Sequence, residues 1–414
     1  MRNEYDAIVV GARAGGSPTA MLLARAGYRV LLVDRATFPS DTMSTHVIHP
    51  PGVAALARWG ILERLEATGC PPIGTYSYDF GPLTIAGSPR AVPGGPHAYA
   101  PRRTVLDALL AEAAADAGAE LREGFTVDEI VIDDGRVTGI RGHADGGVRV
   151  TERAKVVIGA DGRHSRVAKA VEAERYNETP TLAAAYYAYW SGLPADGFET
   201  YIRGESQRGW AAIPTNDGLT CLVQGWPHAQ FHANRKDVEG NYMRSFELVP
   251  EFAERLRGAK RETRFVGAGD LAGYFRKPYG PGWALVGDAG YHLHPITAFG
   301  ISDAFRDAEA LATALDDAFA GRRPYDESLA DYQRGRDEDA LPVYELTREF
   351  AKIEPPPAEM QALMGAMAGN QEAMDGFVSV MAGTLPAPEF FAPENAGRIM
   401  AAAKAPPSAR ARAA

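Results

Sequence analysis

The chain has 414 residues, 46% of them apolar and 23% charged, with a net charge of -10. That is long enough to bury a sizeable core and divide into two domains, and the acidic balance argues against a nucleic-acid partner. The opening MRNEYDAIVV has no basic region leading a long apolar stretch, no run approaches the roughly 18 apolar residues of a membrane span, and Cys70 and Cys221 form neither a CxxC pair nor a disulfide framework, so a soluble cytoplasmic protein is expected.

Residues 5–35 read as strand, turn, helix and strand: an apolar run, a glycine-rich turn, an amphipathic stretch, and a second apolar run ending on Asp34. The turn Gly11-Ala12-Arg13-Ala14-Gly15-Gly16 matches the first and last glycines of the dinucleotide fingerprint, and Asp34 stands where a carboxylate would bind a ribose hydroxyl. The free N–H groups of the helix start would face a pyrophosphate. Arg13 replaces the middle glycine, which predicts a guanidinium on the phosphates instead of a close backbone approach.

The turn-rich segment 38–52 would lie along the cofactor, which makes His46 and His49 candidates for the reactive end, or else loop histidines bonded to backbone. The nine histidines form no HExxH or comparable cluster, so no metal site is expected. Residues 71–96 shift to Gly, Pro and alternating aromatics, an excursion into a second domain. A helix follows from Arg102; Arg103 near its start is unfavourable for the helix dipole unless an anion sits beside it, so it is a cofactor-ligand candidate or a plain surface residue. Hairpins through Asp134-Gly135 and Asp145-Gly146-Gly147 precede the strand 154–158, which runs into Gly159-Ala160-Asp161-Gly162 at a sheet's carboxyl edge.

Residues 176–263 are strand-like and aromatic, a mostly antiparallel sheet with one face lining an apolar pocket and most of its aromatics in the core, followed by a helical stretch over 241–256. The run 267–273 mimics a second fingerprint, but no amphipathic helix follows it. The last informative stretch, 283–315, places Gly287-Asp288 after a short strand, a turn through Pro295, and a helix starting near Gly300 with Asp303 in its first turn. Such a helix start stabilises negative charge developing on a cofactor.

Taken in order, the Gly-rich turn with Asp34, the Gly159-Ala160-Asp161-Gly162 run, and Gly287-Asp288-Ala289 with Pro295 and Gly300 resemble the signatures of FAD-dependent aromatic hydroxylases of the para-hydroxybenzoate hydroxylase type. The resemblance implies an α/β chain: a Rossmann-like FAD-binding domain (1–72, 97–175, 264–323), an inserted, mostly antiparallel substrate domain (73–96, 176–263), a helical C-terminal region (324–404) and a disordered tail (405–414). It implies that Gly11, Ala12, Arg13, Ala14, Gly15 and Gly16 with Asp34 and Arg35 hold the adenosine diphosphate half of FAD. Arg103, Asp161 and Gly162 would lie near the pyrophosphate, and Val127 would match a backbone contact to adenine. Gly287 and Asp288 would bind the ribityl chain, with Pro295, Ala298, Phe299, Gly300 and Ile301 covering the flavin ring.

Departures are informative. Relatives often carry an Arg in the loop equivalent to 38–52; its absence here strengthens the case for Arg13. Ala168 replaces a usual Arg, and Ala298 stands where Gly is common. Flavin-dependent halogenases, which share the scaffold, carry a WxWxIP motif and an N-terminal lysine near the substrate; here the segment reads Gly209-Trp210-Ala211-Ala212-Ile213-Pro214 and the first lysine is Lys155. Prenyl-chain reductases of the geranylgeranyl reductase type fit the three motifs as well, whereas a non-catalytic flavin protein leaves the aromatic pocket unexplained. The implied reaction is NAD(P)H- and O2-dependent monooxygenation of an aromatic or other electron-rich small molecule by a monomer or homodimer. His46 and His294 are the catalytic candidates, His294 either as a base near pKa 6 to 7 that favours a phenolate or as a structural histidine bonded to backbone.

Overall fold

The computed structural model describes residues 4–144 and 146–404. The strand Tyr5–Val10 pairs in parallel with Val30–Val33 on one side and Val150–Gly159 on the other. Trp283–Leu285 and Glu120–Arg122 extend the parallel sheet outward in the two directions. Such near-continuous apolar strands suit a sheet covered on both faces. Ala7, Val9, Val30 and Leu32 face the helices Gly16–Arg25, Arg103–Asp116 and Gly300–Phe319, while Ile8, Val10, Leu31 and Val33 face the hairpin of Phe125–Asp133 and Arg136–Ala144.

Register is what makes this sheet functional. Val10 lies opposite both Val33 and Gly159, and Gly159 lies opposite Leu285. Four strands therefore end level, and Gly11, Asp34, Ala160 and Val286 leave the sheet along one edge. The chain departs to one side toward Val30–Val33 and to the other toward Val150–Gly159, the switch point at which open α/β sheets bind ligands.

A second sheet runs in the order Lys260–Arg261, Ala183–Ser191, Thr220–Pro227, Arg208–Pro214, Phe198–Arg203, Tyr76–Asp79, Thr84–Gly87. It is antiparallel except where Phe198–Arg203 meets Tyr76–Asp79. Strand alternation sorts its side chains: Tyr186, Trp190, Trp210 and Trp226 form a core with the helices Val238–Phe246 and Pro250–Arg257. Those two helices replace the single one expected over 241–256, because Pro250 cannot continue a helix but suits the first turn of the next. The opposite face, with Tyr78, Tyr187, Tyr189 and Phe198, packs against the C-terminal helices Ala358–Met367 and Gln371–Met381.

The run 267–273 is no phosphate loop. Val266–Ala268 is a strand on Ala183–Ser191, and a Cβ on Gly267 would come within 2.2 Å of the Tyr186 ring, so this glycine serves packing. The long helix Tyr325–Phe350 lies along Gly300–Phe319. Among the described residues no helix is long and apolar enough to cross a membrane. The tail 405–414, and Asp145 of the second hairpin turn, fall outside the described residues.

Candidate active site

Three loops converge at the shared edge. Gly11 has φ +105°, and a Cβ there would lie 2.5 Å from the Ala160 carbonyl oxygen. A Cβ on Gly16 would lie 1.7 Å from the Gly11 carbonyl oxygen, so neither position admits a side chain. Gly15 faces the third loop, where a Cβ on Gly287 would approach the Gly15 Cα to 3.9 Å. Asp34 braces the turn: its carboxylate accepts the Ala12 N–H at 2.7 Å and the Ala36 N–H at 2.8 Å. No side chain caps the helix Gly16–Arg25, and the buried Ser17 hydroxyl beside its start has no partner. Arg35 is exposed.

Arg13 does not point to solvent. Its guanidinium pairs with Asp107, reaches the Ser40 carbonyl at 3.2 Å and hydroxyl at 3.1 Å, and lies 5.3 Å from the Phe38 ring centroid. Arg103 holds the other Asp107 oxygen through Nε at 3.0 Å and Nη2 at 2.8 Å. The buried Asp107 thus carries two guanidinium groups and leaves one net positive charge beside the Gly-rich turn. Sequence reading missed Asp107; the available signal was its position four residues after Arg103 on one helix face.

Asp161 accepts the Arg166 N–H at 2.6 Å through one oxygen, while its other oxygen is buried without a partner; burial raises its pKa. Gly162 follows with φ +76°. The Val127 carbonyl accepts from the Arg166 guanidinium at 3.3 Å. The Asp288 backbone carbonyl accepts from the Tyr274 hydroxyl at 2.7 Å, whereas its carboxylate has no hydrogen-bond partner among the described residues.

Beyond Asp288, the turn Pro295–Thr297 leads through Ala298, Phe299 and Gly300 into the helix that holds Ile301. Ala298 adopts φ +60°, the left-handed region in which glycine is at ease. Two histidines pin this turn. His49 Nε2 donates to the Thr297 carbonyl at 3.1 Å, so its Nδ1 accepts from the Tyr76 hydroxyl at 3.0 Å; burial lowers its pKa to about 4. His294 Nδ1 accepts the Ile296 N–H at 3.2 Å, which makes Nε2 the donor to the Ala183 carbonyl at 3.2 Å.

The expectation of a base near pKa 6 to 7 at His294 does not hold, because both ring nitrogens are engaged and burial lowers its pKa to about 4. His46 is also fully buried, its Nε2 2.5 Å from the Tyr189 hydroxyl, and burial together with Arg103 and Arg102 lowers its pKa to about 3. Neither candidate catalytic histidine is therefore tuned as a general base.

Next to the turn, a cavity partly open to solvent lies against the face of the second sheet that carries Tyr78, Phe198 and Val223. Pro295, Ile296 and Ala298 form one wall, Ala185, Gly209 and Gly225 contribute to its floor, and Phe350 and Met381 bring in the C-terminal region. Among the described residues no Lys, Arg, Asp or Glu lines it. Sequence reading anticipated an apolar pocket on this sheet but not the small-residue floor, whose signal was glycine inside strands.

Residues 4–345 match the model of the FAD binding domain family. The chain belongs to that family. Members of this family are FAD-dependent oxidoreductases, and named relatives of the chain include monooxygenases, reductases and halogenases. It is 28% identical over 319 residues to 6-methylpretetramide 4-monooxygenase of Streptomyces rimosus, covering 75% of each chain. It is 29% identical over 316 residues to digeranylgeranylglycerophospholipid reductase of Methanocella arvoryzae, covering 73% of this chain and 75% of that one. In fold it resembles the flavin-dependent brominase Bmp2, with a TM-score of 0.82 at 19% identity over 97% of this chain and 98% of that one. The residues fit the FAD of this family: the cradle at Gly11 and Gly16 that a Cβ would fill, the uncapped helix start, and the unpartnered oxygens of Ser17 and Asp161 are what a dinucleotide's phosphates and hydroxyls require.

Proposed function

We propose that the protein is a cytoplasmic FAD-dependent monooxygenase that uses NAD(P)H and O2 to hydroxylate an aromatic or otherwise electron-rich small molecule. In this reading the segments 1–72, 97–175 and 264–323 form the FAD-binding unit, 73–96 and 176–263 the substrate unit, and 324–404 a helical cover. The Gly11–Gly16 turn with Arg13 and Arg103 would hold the pyrophosphate, with Asp161 near it, Asp34 the adenosine ribose, Asp288 the ribityl chain, and the turn from Pro295 to Ile301 the ring. Bound there, FAD supplies the redox chemistry that couples NAD(P)H oxidation to O2 activation.

The observation that carries the reading is the cavity: an apolar chamber whose wall is the same Pro295–Ala298 turn assigned to the flavin ring. The chain orients the substrate against that wall and excludes water, which protects a reactive oxygen-transfer step from hydrolysis. With His46 and His294 held neutral by burial, the protein's contribution is orientation and desolvation, with neither histidine serving as the base. No lysine lines the cavity among the described residues, which favours oxygen transfer over halogenation as the resemblance frames the two.

The same uncharged lining suits a prenyl chain, so a reductase is the second reading. Product mass under air and under strict anaerobiosis separates them. Gain of one oxygen atom, labelled from isotopic O2, supports the monooxygenase; gain of two hydrogens in anaerobic turnover overturns it.

A further inference from the structure

The floor of the cavity has an unusual row. Ala185 lies opposite Gly225, and Gly225 opposite Gly209, so three adjacent strands present one methyl and two hydrogens in line. Glycine inside a strand weakens it and marks the close approach of something else. Over both glycines that neighbour is Ile353, just beyond the helix Tyr325–Phe350: a Cβ on Gly225 would lie 3.4 Å from its Cδ1, and a Cβ on Gly209 3.8 Å from its Cγ2. Ile353 is buried with φ +52°, a left-handed conformation that β-branched residues rarely adopt. A strained residue of this kind persists only where its surroundings over-determine it, and such residues cluster at ligand clamps.

The polar inventory is as telling. The Thr200 hydroxyl oxygen is buried without a partner, and Thr200 shares the cavity face through its pairing with Ala211 and Tyr78. The Tyr78 hydroxyl likewise has no hydrogen-bond partner among the described residues. A carboxylate lodged here would meet no cation, and an unpaired buried charge is strongly disfavoured.

Resting on the reading of this cavity as the substrate site, we propose that it selects an uncharged, largely apolar molecule that meets the protein through one hydrogen-bonding group at Thr200, with Ile353, which fills the row over Gly225 and Gly209, as the stop that fixes its length. The space over Gly225 and Gly209 is taken by Ile353, so a smaller side chain at 353 would lengthen the chamber along this row. Ile353 closes the row.

Equilibrium binding to the oxidised, FAD-loaded protein without NAD(P)H tests this, by calorimetry with naphthol, naphthoate, naphthalene and hydroxyterphenyl. Naphthol should bind at least about tenfold more tightly than naphthoate. Thr200→Val should weaken naphthol roughly tenfold and leave naphthalene unchanged. Ile353→Gly, which relieves the backbone strain, and Ile353→Ala should each improve hydroxyterphenyl binding about tenfold or more without changing naphthol binding. Naphthoate binding as well as naphthol, no binding of either, indifference of naphthol to Thr200→Val, or no gain for hydroxyterphenyl in a folded Ile353 variant would overturn the proposal. Turnover is not read in this experiment, so failure of oxygen transfer would strike the monooxygenase reading alone.

Discussion

Acid should loosen this protein through its buried histidines, and His49 isolates the effect. An unfolded histidine titrates near pKa 6.5, whereas burial holds His49 and His294 at about 4 and His46 at about 3. Folded pKa values below the unfolded one mean that the unfolded chain binds more protons as pH falls through about 6.5, so stability is full above that point and declines below it. From about pH 8 to about pH 5 each histidine removes roughly 2 kcal/mol, about 6 for the three. Asp303 opposes this: burial raises its pKa to about 6, so the folded state takes up a proton in the same window and returns roughly 1.4 kcal/mol. Asp161, raised by burial, opposes it too. A comparison with His49→Gln removes these shared contributions. Chemical denaturation at both pH values should show wild type losing about 2 kcal/mol more than the variant over the interval. Equal losses, within about 0.5 kcal/mol, would show that His49 is not held neutral and would refute the tautomer assigned to it.

Asp288→Ala should abolish FAD retention through gel filtration, read as loss of visible absorbance; a variant that stays yellow would remove Asp288 from the cofactor's contacts. Arg13→Ala should weaken FAD roughly tenfold or more, because it deletes a charge-assisted contact and leaves Arg103 and Asp107 mutually neutral beside the turn. Titration of the apoprotein measures this. Ala298→Gly should raise stability by up to about 1 kcal/mol, since it relieves a left-handed alanine, with the denaturation midpoint as readout. The pH profile of hydroxylation should show no histidine titration between about pH 6 and about pH 8, and His294→Gln should leave its shape unchanged; an inflection lost in that variant would restore His294 as a base.

The positions a backbone must satisfy were legible in the sequence. Gly11 and Gly16 sit where no Cβ fits, Asp34 ends a strand whose register fixes its carboxylate against the Ala12 N–H, and Gly287 follows a strand level with the first. Each of these follows from local chemistry plus parallel pairing. Arg13 shows where that logic stops. Its sequence position announced an arginine near the phosphates, but its partner depends on how the helix Arg103–Asp116 docks on Gly16–Arg25, a tertiary fact that no local pattern encodes. His294 stayed open between base and backbone-bonded residue for a related reason: whether a histidine is a base depends on what its two nitrogens already hold, and here those partners, the Ala183 carbonyl and the Ile296 N–H, come from a distant strand and from the next turn.

The cavity carries the same lesson one level higher. Its flavin-side wall descends from the turn 295–298, which the motifs announced, and its floor from Gly209 and Gly225, which a strict reading of strand glycines would have flagged. Its cover, Phe350, Ile353 and Met381, comes from the helical C-terminal region, where sequence pattern reveals helices but not the sheet face they close. Residues 4–345 match the family, and Phe350, Ile353 and Met381 lie outside the match. The match spans most of the cavity's lining as well, Thr200 and the Pro295–Ala298 turn included, and Phe350 and Met381 are the lining residues that fall beyond it. Substrate choice in this protein should therefore respond to substitutions at Phe350, Ile353 and Met381 that leave FAD affinity untouched, a separation that paired cofactor and ligand titrations of the same variants would expose.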